Sequence, residues 1–197
     1  MTNMNESMIQ IPAIPEHNLI KLIGRGGYGE VWLANNELGG KRAIKIVRRS
    51  SFDDDRPYER EWSGIKEYEP ISRKHDGLIS ILQVGRDNEA GLFYYVMDLA
   101  DNAREADTAN LQDYTPKSLK SELENSSFSI EKTYSTMNAV LKALDHLHKN
   151  NLVHRDLKPS NILYLDGKPC LADPGLISSI DSSLSVVGTI GYMPREG

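Results

Sequence analysis

The sequence holds one cysteine in 197 residues, so no disulfide can form within the chain. Cys170 lies in the apolar run Pro169-Cys170-Leu171-Ala172, where a small buried side chain is a commoner role for cysteine than a reactive thiol. Also absent are an apolar run of about eighteen residues, which a membrane-spanning helix needs, and the charged-then-apolar order of a signal peptide. These absences predict a protein of the reducing cytoplasm with no membrane segment in these residues.

A surplus of basic residues is missing as well. Lysine and arginine number 23 against 28 aspartate and glutamate residues, which gives a formal net charge of -5. Domains that bind nucleic acid usually carry a basic surface, so this balance argues against a nucleic-acid partner. Otherwise the composition, 39% hydrophobic and 26% charged, is that of an ordinary globular chain with one large or two small cores.

A glycine-rich turn stands between two strand-like segments near the start of the chain. Residues 19–23 are a strand candidate, Gly24-Arg25-Gly26-Gly27-Tyr28-Gly29 follows, and Val31-Trp32-Leu33 resumes the β-prone pattern. A dinucleotide-binding fold would instead open a helix at the third glycine and carry an acidic residue roughly 20 positions later, where this chain has Arg48-Arg49-Ser50. The pattern therefore predicts a β-hairpin whose glycines let the backbone approach phosphate groups closely.

The next predicted strand, residues 41–47, carries a lysine among apolar neighbours. The two-residue period puts Ala43, Lys45 and Val47 on one face and Ile44 and Ile46 on the other. A lysine on an inward face needs an anionic partner, because burying an unpaired charge is costly. A helix predicted to begin near Pro57, capped by the run Asp53-Asp54-Asp55, offers three candidates for this partner: Glu59, Glu61 and Glu67.

The densest group of polar residues is His154-Arg155-Asp156-Leu157-Lys158-Pro159-Ser160-Asn161, and Asp173-Pro174-Gly175 follows twelve residues later. Asp156 can accept a hydroxyl proton, and Lys158 can lie against a phosphoryl group in transfer. Asn161 and Asp173 can hold the divalent cations that bridge nucleotide phosphates. The pair Asp166-Gly167 predicts a hairpin between them, which would return Asp173 to the side of Asn161.

Together these motifs resemble the catalytic domain of the eukaryotic-type protein kinases, over about residues 19–196. The lysine two residues after Asp156 resembles the serine/threonine branch. The resemblance implies an α+β, two-lobed fold: a smaller lobe, residues 17–98, with a five-stranded antiparallel sheet and one main helix, and a partial, mainly helical larger lobe, residues 99–197. Residues 1–16 are expected to be a flexible lead-in or a cover over a sheet edge. ATP and Mg²⁺ are the implied cofactors, and a protein serine or threonine hydroxyl is the implied acceptor.

The resemblance also implies roles for single positions. The catalytic residues would be Asp156, Lys158, Lys45 and Glu61, the last chosen over Glu59 because Arg60-Glu61 matches the helix motif of the family better. ATP would be bound by Ile23, Gly24, Gly26, Gly29, Val31, Ala43, Lys45, Met97, Asp98, Ala100 and Leu163, with Met97 as gatekeeper and Asp98-Leu99-Ala100 as the hinge. The metal ligands would be Asn161 and Asp173. The regulatory residues would be Arg155, Ser185 and Thr189, with Ser185 as the phosphorylated partner of Arg155 and Thr189 as a substrate-positioning residue.

Beyond the hinge, residues 101–115 read as a loop insertion and residues 116–123 as a short helix. Ser129 is predicted to cap a long helix that ends in a left-handed turn at Asn150-Asn151. One face of that helix carries Tyr134, Met137, Leu141, Leu144 and His148.

Two departures from the family pattern keep a second hypothesis open. Pro174 stands where an aromatic residue is usual, and Pro194-Arg195-Glu196 alters the motif before Gly197, where the family continues with further helices. The chain is therefore expected to be truncated after the activation segment, with an apolar face of its long helix exposed. The alternative is a degenerate kinase fold that binds nucleotide or acts as a scaffold with little or no catalysis. A small-molecule phosphotransferase is disfavoured by the Lys158-Pro159 pair and the activation-segment pattern.

Overall fold

The computed structural model describes residues 12–27, 29–104, 111–125, 128–179, 189 and 191–192. The first half of the chain forms β1 (His17–Arg25), β2 (Gly29–Asn36), β3 (Lys41–Arg48), α1 (Asp55–Ser72), β4 (Ile81–Asp87) and β5 (Leu92–Met97). The second half forms α2 (Leu119–Asn125), α3 (Ile130–Lys149), β6 (Leu152–Val153), β7 (Ile162–Leu165), β8 (Lys168–Leu171) and β9 (Ser178–Ser179). Short 3₁₀ helices lie at Arg49–Ser51, Leu111–Asp113, Pro159–Asn161 and Pro174–Leu176.

The smaller lobe is an antiparallel sheet of five strands in the order β1-β2-β3-β5-β4. Its two faces belong to different apolar clusters, because successive side chains of a strand point to opposite sides. Ala43 and Val47 join the main core beneath α1, whereas Ile44 and Ile46 pack in a second cluster on the far face. The predicted five-stranded sheet with one main helix, and the alternation along its third strand, are confirmed.

Helix α1 begins at Asp55, two residues earlier than predicted. The side chain of Asp54 accepts a hydrogen bond of 2.8 Å from the backbone nitrogen of Arg56, which supplies the N-cap. The buried side chains of the helix recur every three or four residues, at Tyr58, Glu61, Ile65 and Tyr68, so one face lies on the core and includes a single carboxylate.

Helix α3 has the predicted cap and end, and most of its predicted apolar face lies outside the core. The hydroxyl of Ser129 accepts a hydrogen bond from Lys132 N, and Asn151 has a left-handed φ of 60° after the last turn. The buried positions are Thr136, Val140, Ala143 and Leu147. Of the predicted apolar face, Leu144 packs partly against the core, whereas Tyr134, Met137 and Leu141 are 75%, 40% and 63% exposed.

Helix α2 begins at Leu119, not at residue 116. Pro116 and Ser118 are in extended bridges to Asn102 and Leu163, so the chain is still part of small β-contacts where the helix was predicted to start. These bridges hold the segment after the hinge against the β7–β8 hairpin, whose Asp166 and Gly167 both have positive φ, as the predicted two-residue turn requires.

The structure bears on three further expectations, which concern the first residues of the chain, Cys170 and membrane-spanning helices. Within the first sixteen residues, the described part places Ile14 in the apolar cluster on the outer face of the sheet, which fits the edge-cover alternative. Cys170 is buried, and its burial raises the pKa of the thiol to about 12, as suits a packing residue. In the ranges described, no helix is long and apolar enough to cross a membrane.

Candidate active site

The glycine-rich hairpin between β1 and β2 depends most on Gly29. A Cβ at this position would lie 2.8 Å from the carbonyl oxygen of Ile46 and 3.2 Å from Lys45 Cε. The hairpin therefore rests on β3 at a point where only glycine fits. A Cβ at Gly24 or Gly26 would meet nothing closer than 3.5 Å, which is an ordinary van der Waals contact, so packing alone does not require glycine at these two positions.

Apolar residues predicted to surround a base come together from both lobes. Ala43 pairs with Met97 across β3 and β5, and both belong to the main core. Ile23, Val31 and Leu163 are half-buried against that core, the last from β7 of the larger lobe. Beyond Met97 the chain continues as Asp98-Leu99-Ala100, with Ala100 only 7% exposed.

Lys45 lies between two carboxylates. Its Nζ is 2.7 Å from Asp173 Oδ1 and 3.3 Å from Glu61 Oε1. The side chains of Lys45 and Glu61 are 11% and 4% exposed, whereas that of Asp173 is 43% exposed. The sequence left Glu59 and Glu67 open as partners, and the structure brings Glu61 to the lysine.

Burial and the charges of neighbouring groups shift the pKa values of these three side chains in opposite directions. Burial opposes the charge of Lys45, but Asp173, Tyr95 and Glu61 outweigh it and hold the pKa of Lys45 well above its usual value. Burial raises the pKa of Glu61 although Lys45 opposes the shift. Burial also favours the neutral form of Asp173, but the charge and hydrogen bond of Lys45 prevail and lower the pKa of Asp173.

Glu59, the alternative partner, faces away from this triad. Its carboxylate accepts hydrogen bonds of 2.5 and 2.9 Å from the guanidinium of Arg86 on β4, and one of 3.1 Å from Arg49. These contacts tie the outer side of α1 to the sheet, while Glu61 points inward from the same helix.

Asp156 is the centre of a second cluster. Lys158 Nζ lies 2.7 Å from Asp156 Oδ2, and the amide of Asn161 donates to the same oxygen at 2.9 Å. The hydroxyl of Thr189 donates to Asp156 Oδ1 at 2.6 Å and accepts from Lys158 at 2.7 Å. Burial raises the pKa of Asp156, but the hydrogen bonds from Lys158 and Thr189 outweigh burial and lower it, so the carboxylate is ionised at neutral pH.

His154 connects this cluster with the strand that leads to Asp173. The imidazole is 2% exposed, and its Nε2 lies 2.9 Å from the carbonyl oxygen of Ala172. Burial lowers the pKa of His154, so the ring is neutral at pH 7 and its Nε2 donates the proton in this bond. Ala172 N in turn donates to Asn161 O at 2.8 Å, which fixes the end of β8 beside Asn161.

A proline follows Asp173, and the local backbone accommodates it. Asp173 has a left-handed conformation, with φ 57° and ψ 69°, and Pro174 is the first residue of the 3₁₀ helix Pro174–Leu176. A helix start suits proline, because its fixed φ is helical and its missing N–H would have no helical partner there. Pro174 is buried, so this position is part of the core although an aromatic ring is absent.

Comparison with known proteins identifies the family of this constellation. The profile of the protein kinase domain matches residues 17–197. The chain belongs to the protein kinase family. Calcium-dependent protein kinase 5 of Plasmodium berghei is 31% identical over 186 residues, which cover 88% of this chain and 29% of that protein.

Two bacterial serine/threonine kinases match this kinase domain with similar identity and coverage. Serine/threonine-protein kinase PrkC of Bacillus subtilis is 27% identical over 191 residues, which cover 91% of the chain and 26% of that protein. DNA damage-responsive serine/threonine-protein kinase RqkA of Deinococcus radiodurans is 28% identical over 189 residues, which cover 91% of the chain and 26% of that protein. The chain thus spans between 26% and 29% of the length of these three relatives.

Of the three positions for which the resemblance implies a regulatory role, the structure describes Arg155 and Thr189. Arg155, directly before Asp156, has a left-handed φ of 63°. Thr189, for which the resemblance implies a substrate-positioning role, lies in the Asp156 cluster. Ser185 and the motif 194–196 lie outside the described residues. Ser178 and Ser179 form β9, which pairs with β6 directly before His154.

Two contributions to the kinase site were missed by sequence reasoning. Gly64 of α1 faces the carbonyl of Ile177, and a Cβ there would overlap that oxygen. The carboxylate of Asp101, just past the hinge, accepts hydrogen bonds from Asp166 N at 2.9 Å and Gly167 N at 2.8 Å. A glycine inside a helical pattern was a visible signal for the first, whereas the second joins residues 65 positions apart and has no local signal.

Proposed function

We propose that this kinase domain transfers the terminal phosphoryl group of ATP to serine or threonine hydroxyls of a protein substrate. The observation that carries the proposal is the Asp156 cluster, in which an ionised carboxylate, a cation and a hydroxyl lie within 2.6–2.7 Å of one another. A carboxylate of this kind can accept the proton of an attacking hydroxyl, and the adjacent ammonium can stabilise charge on the transferred group.

Asp156 retains acceptor capacity for a substrate hydroxyl. An ionised carboxylate offers about four lone-pair sites, and three donors use some of them here: Thr189, Lys158 and Asn161. These donors also fix the orientation of the carboxylate, so a hydroxyl held near it would meet a pre-oriented base. The exchange of the Thr189 hydroxyl for a substrate hydroxyl on Oδ1 would need no movement of the carboxylate.

The phosphates of the nucleotide would be met by Lys45. Its pKa lies well above the usual value, so the ammonium is charged at any pH of interest. Glu61 holds the ammonium from the helix side, and the hairpin with Gly29 approaches Lys45 from above. This arrangement suits a cation that neutralises phosphate charge at a fixed place.

Asn161 and Asp173 would hold Mg²⁺. Both offer oxygen donors, which Mg²⁺ prefers, and Asp173 is the most exposed member of the Lys45 triad. The amide nitrogen of Asn161 is engaged by Asp156, so the amide oxygen is the end turned to other partners. In the described ranges no three acidic, histidine or cysteine side chains form a metal site by themselves, so nucleotide phosphates would complete the coordination. A bound Mg²⁺ neutralises phosphate charge during transfer.

The role of Asp156 is tested by Asp156→Asn, which removes the charge and keeps the shape. We expect phosphoryl transfer from radiolabelled ATP to a generic serine-containing protein to fall about 10²- to 10⁴-fold, with ATP affinity nearly unchanged. Asp166→Asn is the matched control, because Asp166 lies in an exposed turn with a positive φ that asparagine also tolerates. Undiminished transfer in Asp156→Asn would contradict the catalytic assignment.

The scaffold alternative has its own observation, the exposed side chains Tyr134, Met137 and Leu141 on α3. Exposed apolar surface of this kind is typical of a contact with another protein. The same assay separates the two functions. A wild-type chain that binds ATP but transfers nothing to any protein substrate would favour the nucleotide-binding scaffold over the enzyme.

A further inference from the structure

The segment between α1 and β4 contacts both β8 and α3. We call residues 75–79 the α1–β4 turn. Gly77 O accepts a hydrogen bond from Leu171 N at 2.7 Å, and Ile79 N donates to Leu171 O at 2.9 Å. The turn also lies so close to α3 that a Cβ on Gly77 would be 3.2 Å from Ala143 Cβ. Because Leu171 is the last residue of β8, the turn supports the strand that leads to the cleft.

Two histidine side chains meet where the α1–β4 turn contacts α3. The ring of His75 lies on the ring of His146, with the ring centres 5.1 Å apart and the planes inclined by 32°. Nδ1 of His75 also lies 3.0 Å from Gly77 N. A backbone N–H can only donate, so His75 Nδ1 is the acceptor in this bond and carries no proton. The geometry therefore requires a neutral imidazole at His75.

A proton on Nδ1 of His75 is incompatible with this arrangement. The nitrogen would change from an acceptor to a donor, and the N–H of the buried Gly77 would face a second N–H without a partner. The new charge would also lie against the ring of His146. In the described part of the chain, Nε2 of that ring is buried and has no hydrogen-bond partner, so it makes no bond that would compensate the charge.

The charged and titratable groups around His75 act in both directions. Asp76 beside it and Asp145 on α3 favour its protonated form, whereas His146 and Lys142 on α3 oppose it, and β8 meets the turn with the apolar Leu171. Burial is the largest influence, and the net result is a lowered pKa of His75. A group whose pKa is lowered by folding contributes stability above its usual pKa, and this stability is lost as the pH falls through the folded pKa.

We propose that His75 and His146 form a pH-sensitive contact, which holds the α1–β4 turn on α3 while His75 is neutral and loosens the turn from α3 and β8 when His75 takes up a proton. Histidine is the side chain whose charge ordinarily changes between about pH 5 and pH 8, so the contact responds within the range in which cells live. The contact exists in the chain without a nucleotide, so the inference stands independently of phosphoryl transfer. Because β8 leads to Asp173, the loosening reaches the edge of the cleft.

Hydrogen exchange of single amides tests the proposal, because the amides of Ile79 and Leu171 are bonded between the turn and β8. A protection factor already corrects for the pH dependence of the chemical exchange step. We expect the protection factors of these two amides to fall about 2- to 5-fold between about pH 7.5 and about pH 6. The amides of β3 that are bonded to β5 should change less. No fall, or an equal fall at both sets of amides, would overturn the proposal.

The double variant His75→Asn/His146→Phe removes the titration and keeps the contacts. The asparagine oxygen can accept from the N–H two residues on, as Nδ1 of His75 does from Gly77, and phenylalanine keeps an aromatic ring on α3. This variant should show no fall in protection at Leu171. His148→Asn is the matched control, because His148 is exposed on the same helix, and it should keep the wild-type fall. A fall that persists in the double variant would contradict the role of the two histidines.

A titration of the wild-type chain by nuclear magnetic resonance needs no variant and decides the question even where the double variant does not fold. The ring protons of His75 report its own protonation, and the amide of Leu171 reports the contact with β8. The two signals should shift with the same midpoint, below the usual range of histidine. Different midpoints, or a Leu171 amide that does not respond, would overturn the proposal.

Discussion

Gly64 brings helix α1 closer to the segment after Asp173 than any side chain would permit. A helical glycine usually costs about 0.5–1 kcal/mol relative to alanine, so its presence within α1 needs a reason. The reason is the Ile177 carbonyl, which occupies the space of a Cβ. Because Glu61 and Gly64 are three residues apart on one helix, this contact also determines how deeply Glu61 reaches towards Lys45.

The substitution Gly64→Ala is expected to destabilise the fold by about 1–3 kcal/mol, although alanine is the better helix former, because its methyl group overlaps backbone that cannot easily move. Thermal unfolding followed by circular dichroism measures the effect. Gly27→Ala is the control, since a Cβ there meets nothing within 4 Å, and its effect should stay within about 0.5 kcal/mol. A higher melting temperature for Gly64→Ala would show that the two segments are not in close contact.

At the scale of elements, an ion pair between Glu59 and Arg86, which we call the clamp, holds the outer side of α1 to the sheet. Arg86 of β4 donates hydrogen bonds to both carboxylate oxygens of Glu59. Its guanidinium lies 5.4 Å from the ring centre of Tyr58 and 5.5 Å from that of Trp62. Cation–π contacts and a two-point ion pair together favour one position of the arginine. The clamp and the Lys45–Glu61 contact thus act on opposite sides of the same helix.

The clamp predicts a pH dependence. Hydrogen bonds from Arg86 lower the pKa of Glu59 in the folded protein, so the ion pair stabilises the fold above the usual carboxyl range and is lost as the pH falls through the folded pKa. Glu59→Gln should lower the melting temperature by about 2 °C at pH 7, because exposed ion pairs contribute roughly 1 kcal/mol or less, and by less near pH 3. Glu67→Gln, exposed on the same helix, serves as the control. Equal losses at both pH values would contradict the ionic origin.

The elements also show what sequence reasoning could and could not reach. Local signals sufficed for the caps of α1 and α3, the Asp166–Gly167 turn and the alternation of β3, because each depends on neighbours in the chain. The buried positions of α3 could not be chosen from the sequence, since periodicity finds an apolar stripe but does not say which stripe meets the core. The contact of Tyr114 with Ala100 was missed because a turn-rich segment carries no sign of a partner 14 residues away.

At the scale of the whole molecule, the two lobes meet in the Lys45 triad. Lys45 and Glu61 belong to the sheet and helix of the smaller lobe, and Asp173 belongs to the segment that the β7–β8 hairpin returns to the cleft. Within the larger lobe, Asp101 ties the chain leaving the hinge to the turn of that hairpin. The triad joins residues of both lobes that are far apart in sequence, so it forms only when both lobes are folded.

The substitution Lys45→Met should therefore weaken the whole fold at pH 7, because it leaves two carboxylates facing each other without a cation. Breaking a fully buried pair costs about 3–5 kcal/mol, and the loss here should be smaller because the Asp173 side chain is 43% exposed. Melting temperatures of wild type and variant between pH 7 and pH 4 measure it, and Lys74→Met, an exposed lysine beyond the end of α1, is the control.

The difference between wild type and Lys45→Met should shrink as the pH falls. In the wild type the pKa of Asp173 is lowered by Lys45, so that part of the stability persists across the measured range and is lost only at lower pH, as the pH falls through the folded pKa. In the variant the burial that already raises the pKa of Glu61 is no longer opposed by Lys45, so the folded state takes up a proton at higher pH than the unfolded state and gains stability on acidification. A difference that stays constant from pH 7 to pH 4 would show that Lys45 stabilises the protein through packing alone, without charge coupling across the cleft.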